Sequence, residues 1–166
     1  MNAKGRKAAA ILLAVMLTSA AGASLAASDS SFAGHYTTAS LSVQEQTAGN
    51  LLNSDRARYG LAPLVIDPEL CRIARIKSQD MRDNQYFAHT SPTYGDVRSM
   101  LRRFGYAFTA SGENIAHHAT IEKAQAAFLS SPGHRRNIMS GTYTKVGMGA
   151  AIDAQGYVYL TQIFVR

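Results

Sequence analysis

The sequence is poor in cysteine and in charge. Its one cysteine, Cys71, excludes an intrachain disulfide, but a chain of 166 residues is long enough to form a core without one. Charged residues make up 17% and hydrophobic residues 46%, which is typical of one globular domain and excludes a disordered chain. Cys71 follows Leu70 in an apolar helical stretch, so we predict a buried, unreactive thiol.

A long apolar run occurs near the N-terminus and not again. The run at 8–17 follows three basic residues and precedes small residues up to Ala26, which is the order of a signal peptide. We expect cleavage after Ala26, with Ala23 as the other candidate. A membrane span needs about 20 apolar residues, so retention as an anchor is the less favoured alternative. We expect an exported chain, released or associated with the cell envelope, with no transmembrane segment once it is mature.

Positive charge is modest after this segment is removed. The net charge falls from +6 to +3, with 14 Lys and Arg against 11 Asp and Glu. The remaining basic residues are scattered along the chain, which is typical of a solvated surface, and we expect no nucleic-acid partner. The domain organisation we predict is a signal peptide at 1–26, a flexible leader at 27–41 and one domain at 42–166.

Helix signals begin with Ser42, which forms a capping-box pattern with Glu45. This helix is predicted to end at Gly60 and to direct three apolar side chains inward, those of Val43, Leu51 and Leu52. A second helix should begin at Asp67 and bury an apolar face, from which the stem of Lys77 snorkels to solvent. Further short helices are predicted after Asp96, Thr120 and Ser131.

The C-terminal region changes to a β pattern. Residues 146–152 and 157–165 are apolar and β-prone, and 153–156 is a turn sequence, so the two runs should form a hairpin. Helices come first and strands last, which favours an α+β fold.

Two histidines and one carboxylate could carry chemistry. His89 and His134 lie on irregular segments beside Pro, Ser and Gly, and Glu113 follows Gly112. Such a set can hold a divalent cation such as Zn²⁺ with an open position, or act without metal as an acid–base pair. The third alternative is three separate surface residues, because more than twenty residues separate each from the next. His117, His118, Arg135 and Arg136 are predicted to be surface residues, and Ser91 a turn residue.

Four motifs in order resemble those of a known family. They are Phe-Ala-His-Thr-Ser-Pro at 87–92, Ser-Gly-Glu-Asn-Ile-Ala at 111–116, Ser-Pro-Gly-His-Arg-Arg-Asn-Ile-Met at 131–139 and Tyr-Thr-Lys-Val-Gly-Met-Gly at 143–149. Together they are similar to a bacterial member of the CAP superfamily, also called SCP-like, which includes plant pathogenesis-related-1 proteins.

The resemblance implies a three-layer α-β-α sandwich with a central, mostly antiparallel sheet and a groove of His and Glu residues. His89 and Glu113 match two of the four groove residues of animal and plant members. The other two positions fall near Ser131 and Thr142, and His134 is expected to point into the groove instead. The resemblance thus implies His89, Glu113 and His134 as catalytic or binding residues, with His89 and His134 as the metal ligands if a metal is bound.

Besides a purely structural or assembly role at the envelope, two functions remain open from the sequence. The first is a binding module whose groove takes a peptide, a lipid or a cell-envelope component. The second is a secreted metal-assisted hydrolase, similar to a peptidase, that uses the same three residues.

Overall fold

The computed structural model describes residues 40–166. The predicted signal peptide and most of the predicted leader lie outside the described residues. The described chain contains five helices and four strands: α1 (Val43–Arg58), β1 (Val65–Ile66), α2 (Pro68–Asp83), α3 (Val97–Arg103), β2 (Ser111–His118), α4 (Ile121–Ser130), α5 (Pro132–Met139), β3 (Lys145–Ile152) and β4 (Val158–Val165).

The four strands form one mixed sheet in the order β1-β3-β4-β2. The predicted hairpin is present as β3 and β4, β2 pairs antiparallel with β4, and β1 pairs parallel with β3. Strand β2 lies at one edge of the sheet, and its alternate residues point to opposite faces, so β2 can contact elements of both helical layers. This position determines where the candidate site forms.

Helices cover both faces of the sheet. Gly147 and Gly149 of β3 face helix α2, whereas the intervening Met148 faces Gly49 of α1. Since alternate residues of a strand point to opposite faces, α2 forms one layer, and α1 with α4 and α5 forms the other. The predicted α+β, three-layer α-β-α architecture is confirmed.

Contact between α2 and β3 is unusually close. A Cβ atom added at Gly149 would lie 2.0 Å from the backbone carbon of Ala74, so only glycine fits there. Ser78 Oγ then lies 2.9 Å from the Gly149 carbonyl oxygen and 2.8 Å from Thr161 Oγ1. These contacts hold α2, and the loop that follows it, firmly against the sheet.

The predicted helix starts are confirmed, but three details are not. Val43 is 75% exposed, so the prediction that it points inward is wrong. Lys77 does not snorkel to solvent, because its side chain is buried and bonds to backbone carbonyls. The sequence at 111–116 predicts a loop or a short extended piece, whereas residues 111–118 form a strand of eight residues. Cys71 is buried, as predicted, and burial raises the pKa of its thiol to about 11.

Candidate functional site

The site forms where the loop after α2 meets edge strand β2. Glu113 lies on the β2 face that α2 covers, and its side chain is only 4% exposed. His89 comes from the loop and remains 58% exposed. His89 Nδ1 lies 2.7 Å from Glu113 Oε1, and an ionised carboxylate only accepts, so the imidazole nitrogen must donate. A buried carboxylate therefore orients a half-exposed imidazole.

Lys77 of α2 positions the loop that carries His89. Its ammonium group donates to the carbonyl oxygens of Ala88 at 2.8 Å and His89 at 3.0 Å. Burial lowers the pKa of Lys77, and the negative charges of Glu113 and Asp80 oppose this shift. The positive charge thus also partly neutralises the buried Glu113.

Asp80, one turn further along α2, fixes the other end of the same loop. Its carboxylate accepts hydrogen bonds from Tyr86, from Asn84 at 2.8 Å and from Ser91 at 2.6 Å. Burial acts to raise the pKa of Asp80, but these hydrogen bonds outweigh it and the pKa is lowered. Ser91 also accepts from the backbone N–H groups of Thr93 and Tyr94, so the predicted turn role of Ser91 is confirmed.

His134 lies on α5, in the layer opposite α2. Its ring packs edge-on against Phe128, with the ring centroids 5.1 Å apart. Asn114 donates to the His134 carbonyl oxygen at 3.2 Å, and Asn137 donates to the Glu113 carbonyl oxygen at 3.2 Å. Helix α5 is therefore bonded directly to the strand that carries Glu113.

A chain of buried amides supports this junction. Asn114 donates to Gln162 at 3.0 Å, Gln162 donates to Gln125 at 2.9 Å, and Gln125 donates to Asp55 at 2.8 Å. Asn137 completes the chain by donating to Asn114 at 2.8 Å. Buried polar groups that are all paired specify one arrangement, so this network fixes β2, β4, α1, α4 and α5 relative to one another.

The two histidines are shifted in opposite directions. The hydrogen bond to Glu113 raises the pKa of His89. Burial lowers the pKa of His134, and the positive charge of His89 lowers it further. The structure therefore brings His89 and Glu113 into contact and places His134 within electrostatic range of His89. We refer to these three residues as the His–Glu site.

The described residues do not fit a three-ligand zinc site. Catalytic zinc usually takes three protein ligands and one open position. Within residues 40–166, no three His, Cys, Asp or Glu side chains are grouped so that they could hold a metal ion. Nδ1 of His89 is already bonded to Glu113, which leaves Nε2 for any ligand.

Several residues around the site were not predicted to support it. Lys77, Asp80, Asn137 and Gln162 all hold it in place. A lysine on the apolar face of α2 predicts a snorkelling side chain, and its pattern in the sequence does not distinguish this from the buried ammonium group that the structure shows. Nothing local in the sequence indicated that Gln162 would bond to Asn114, because 48 residues separate them.

Comparison with known proteins identifies the family. The family model of CAP, the cysteine-rich secretory protein family, matches residues 50–164. The chain belongs to the CAP family. Despite the family's description, this member has one cysteine, and its CAP domain is built without disulfides.

Two Bacillus subtilis proteins are similar to this CAP protein in sequence. The uncharacterized protein YkwD is 44% identical over 111 residues, which are 66% of this chain and 43% of YkwD. The uncharacterized membrane protein YlbC is 35% identical over 118 residues, which are 70% of this chain and 33% of YlbC. The chain spans less than half the length of these curated relatives.

Solved structures share the CAP fold. An extracellular protein with an SCP domain from Bacillus anthracis aligns with a TM-score of 0.69 at 35% identity, over 74% of this chain and 40% of that one. An outer surface protein from Borrelia burgdorferi aligns with a TM-score of 0.68 at 17% identity, over 73% of this chain and 90% of that one, which shows the fold alone. Among residues 40–166, no helix has the length and apolar character to cross a membrane.

Proposed function

We propose that this CAP protein is exported and binds a peptide, lipid or cell-envelope ligand at the His–Glu site. The observation that carries the proposal is a half-exposed imidazole, His89, backed by the buried carboxylate of Glu113. Burying a carboxylate costs free energy, and an ordinary surface histidine needs no such partner. The arrangement is that of an oriented hydrogen-bonding group presented to a ligand.

The second carboxylate oxygen supports the same proposal. Glu113 Oε2 is buried and has no hydrogen-bond partner among the described residues. An unpaired buried acceptor costs about 1–3 kcal/mol, which a donor group of a ligand would offset after a small rotation of the carboxylate. Hydroxyl, amide and ammonium groups are all suitable donors.

Chemical-shift mapping by NMR tests ligand binding. Soluble peptidoglycan fragments, a mixed peptide library and lipid vesicles are titrated separately into the purified protein. We expect one class to shift the resonances of His89, Glu113 and His134, and expect Glu113→Gln to weaken this binding at least about tenfold. Glu69→Gln, which removes a carboxylate paired with Arg72 on the surface of α2, is the control. Binding that is equal in both variants would place the ligand elsewhere.

Export is tested by sequencing the N-terminus of the protein recovered outside the cells. The proposal expects a chain that begins at Ala27, or at Ser24 if cleavage follows Ala23. An intact N-terminus on a chain retained in the membrane fraction would contradict cleavage and support an anchor.

A hydrolase is the second candidate, and the opposite pKa shifts favour it. A protonated His89 and a neutral His134 could serve as acid and base. A peptidase screen of wild type beside His134→Gln, with and without added Zn²⁺, tests this alternative. Loss of a measurable turnover in the variant supports it, whereas no turnover in wild type under either condition removes it.

A further inference from the structure

We propose a second binding site, for neutral carbohydrate, on a surface that we call the aromatic platform. It consists of Phe87, His117, Tyr157 and Tyr159. The platform lies near the end of β2, past Glu113, and on the adjoining end of β4. It goes beyond the proposed function and does not depend on ligand binding by the His–Glu site.

The platform is a continuous group of rings. His117 stacks on Tyr159, its cross-strand partner, with the ring centroids 4.0 Å apart and the planes inclined by 18°. Tyr157 lies 5.5 Å from His117 on one side, and Phe87 lies 6.4 Å from Tyr159 on another. Rings from three separate segments, the loop, β2 and the β4 region, therefore meet on one surface.

Packing within the protein does not account for all of these rings. One cross-strand pair, His117 and Tyr159, is enough to stabilise the edge of the sheet. Phe87 and Tyr157 nevertheless remain 51% and 45% exposed. Large apolar side chains grouped at the surface mark a binding surface more often than scattered ones do.

Polar groups border the platform in a pocket of about 320 Å³. Its lining includes Tyr159 together with Arg82, Gln85, Asp153 and Gln155. Carboxylate, amide and guanidinium groups are planar and can each engage two neighbouring hydroxyls. Aromatic faces are electron-rich and attract the polarised C–H groups of a pyranose ring. Rings beside planar polar groups are the chemistry that recognises a sugar.

The charges favour a neutral glycan over an anionic polymer. Arg82 is paired with Asp83 at 2.7 Å, and His117 Nε2 lies 2.7 Å from Asp153 Oδ2. The guanidinium of Arg82 is thus already opposed by a carboxylate. A phosphate-bearing chain would be repelled by the carboxylates of Asp83 and Asp153, whereas the hydroxyl groups of a glycan could donate hydrogen bonds to them.

The end of α2 directs its loop toward the same pocket. Gln85 has a φ of 53° and is the one non-glycine residue with positive φ in the described chain. It occupies the left-handed position of a Schellman cap, in which the Tyr86 N–H donates to the Met81 carbonyl oxygen at 3.0 Å. The turn formed by this cap places Gln85 in the pocket lining and Phe87 on the platform.

Binding of soluble oligosaccharides to the purified protein tests the proposal. The probes are chitotetraose (N-acetylated), cellotetraose and maltotetraose. Because the chain has no tryptophan, tyrosine emission can report contact with Tyr157 or Tyr159. We expect at least one probe to bind saturably, and expect Phe87→Ser and Tyr157→Ser each to raise its Kd about tenfold. Both residues are half-exposed, so these variants should fold, which circular dichroism checks.

Two controls separate this site from the rest of the molecule. Tyr59→Ser removes a tyrosine at the end of α1 that is 58% exposed, more than either platform residue, and should leave the Kd unchanged. Glu113→Gln should also leave it unchanged, since it alters only the His–Glu site. Failure of all three glycans to bind overturns the proposal, as does loss of binding in Glu113→Gln alone. Binding of long-chain polyphosphate in place of the glycans would show an anion site instead.

Discussion

The side-chain amide of Asn114 donates a hydrogen bond to the backbone carbonyl oxygen of His134, at 3.2 Å. Asn114 is fully buried on edge strand β2, and His134 lies on α5. The same strand carries Glu113, which orients His89. One strand thus positions residues from both helical layers at a single place.

Replacing Asn114 should therefore weaken both the fold and the site. Asn114→Ala leaves Gln162 and Asn137 without their buried partner, at a cost of about 1–3 kcal/mol for each unpaired group. We expect urea unfolding to show a loss of about 2–4 kcal/mol in the free energy of unfolding. Asn50→Ala, at an exposed helical position, should stay within about 0.5 kcal/mol of wild type. Equal effects of the two substitutions would refute a structural role for the network.

The pH dependence of the site should show two opposite contributions. A raised pKa means that His89 stabilises the folded protein below about pH 6.5, and that this contribution is lost as the pH rises through the pKa of the folded state. A lowered pKa means that His134 destabilises the folded protein as the pH falls below about 6.5, since the unfolded chain is protonated first. Histidine ring resonances followed by NMR should therefore titrate at separate pH values.

Glu113→Gln tests the cause of that separation. Loss of the carboxylate should lower the pKa of His89 and, by reducing its positive charge, raise the pKa of His134. Glu69→Gln should change neither. An unchanged His89 titration in Glu113→Gln would mean that the hydrogen bond is not formed in solution.

Lys77→Met should release the loop that carries His89. Methionine retains the apolar stem but removes the donor to Ala88 and His89, leaving two carbonyl oxygens unpaired. We expect faster amide hydrogen exchange through residues 86–90 and a loss of about 2 kcal/mol or more in stability. Lys123→Met, at an exposed position on α4, is the matched control. Unaltered exchange in the loop would show that Asp80 alone is enough to hold it.

Gly149→Ala should separate α2 from the sheet. The added Cβ would lie 2.0 Å from the Ala74 backbone carbon, a distance that only movement of the helix can relieve. We expect a loss of about 3 kcal/mol or more, or failure to fold. At Gly141 nothing lies within 4 Å of an added Cβ, so Gly141→Ala should be nearly neutral. A stable Gly149→Ala protein would mean that this helix–sheet contact is looser than described.

Helix starts were the most predictable part of the fold. Ser42, Asp67, Asp96 and Thr120 all cap helices through their own side chains, which is a property of a few consecutive residues. The sequence does not predict strand β1, because it has two residues and only its pairing with β3 makes it a strand. Spacing alone predicts that Val43 points inward, but its position at the first turn of α1 leaves it in solvent.

The sequence by itself determined the family, the order of the helices, the C-terminal hairpin and which residues could carry chemistry, because caps, periodicity and motifs are local. The tertiary structure decided which of those residues meet. Glu113 contacts His89 from 24 positions away, and Lys77 is buried because the folded loop supplies carbonyl oxygens to its ammonium group. Such contacts depend on the packing of α2 and α5 around one edge strand, and no local stretch of the sequence contains that arrangement.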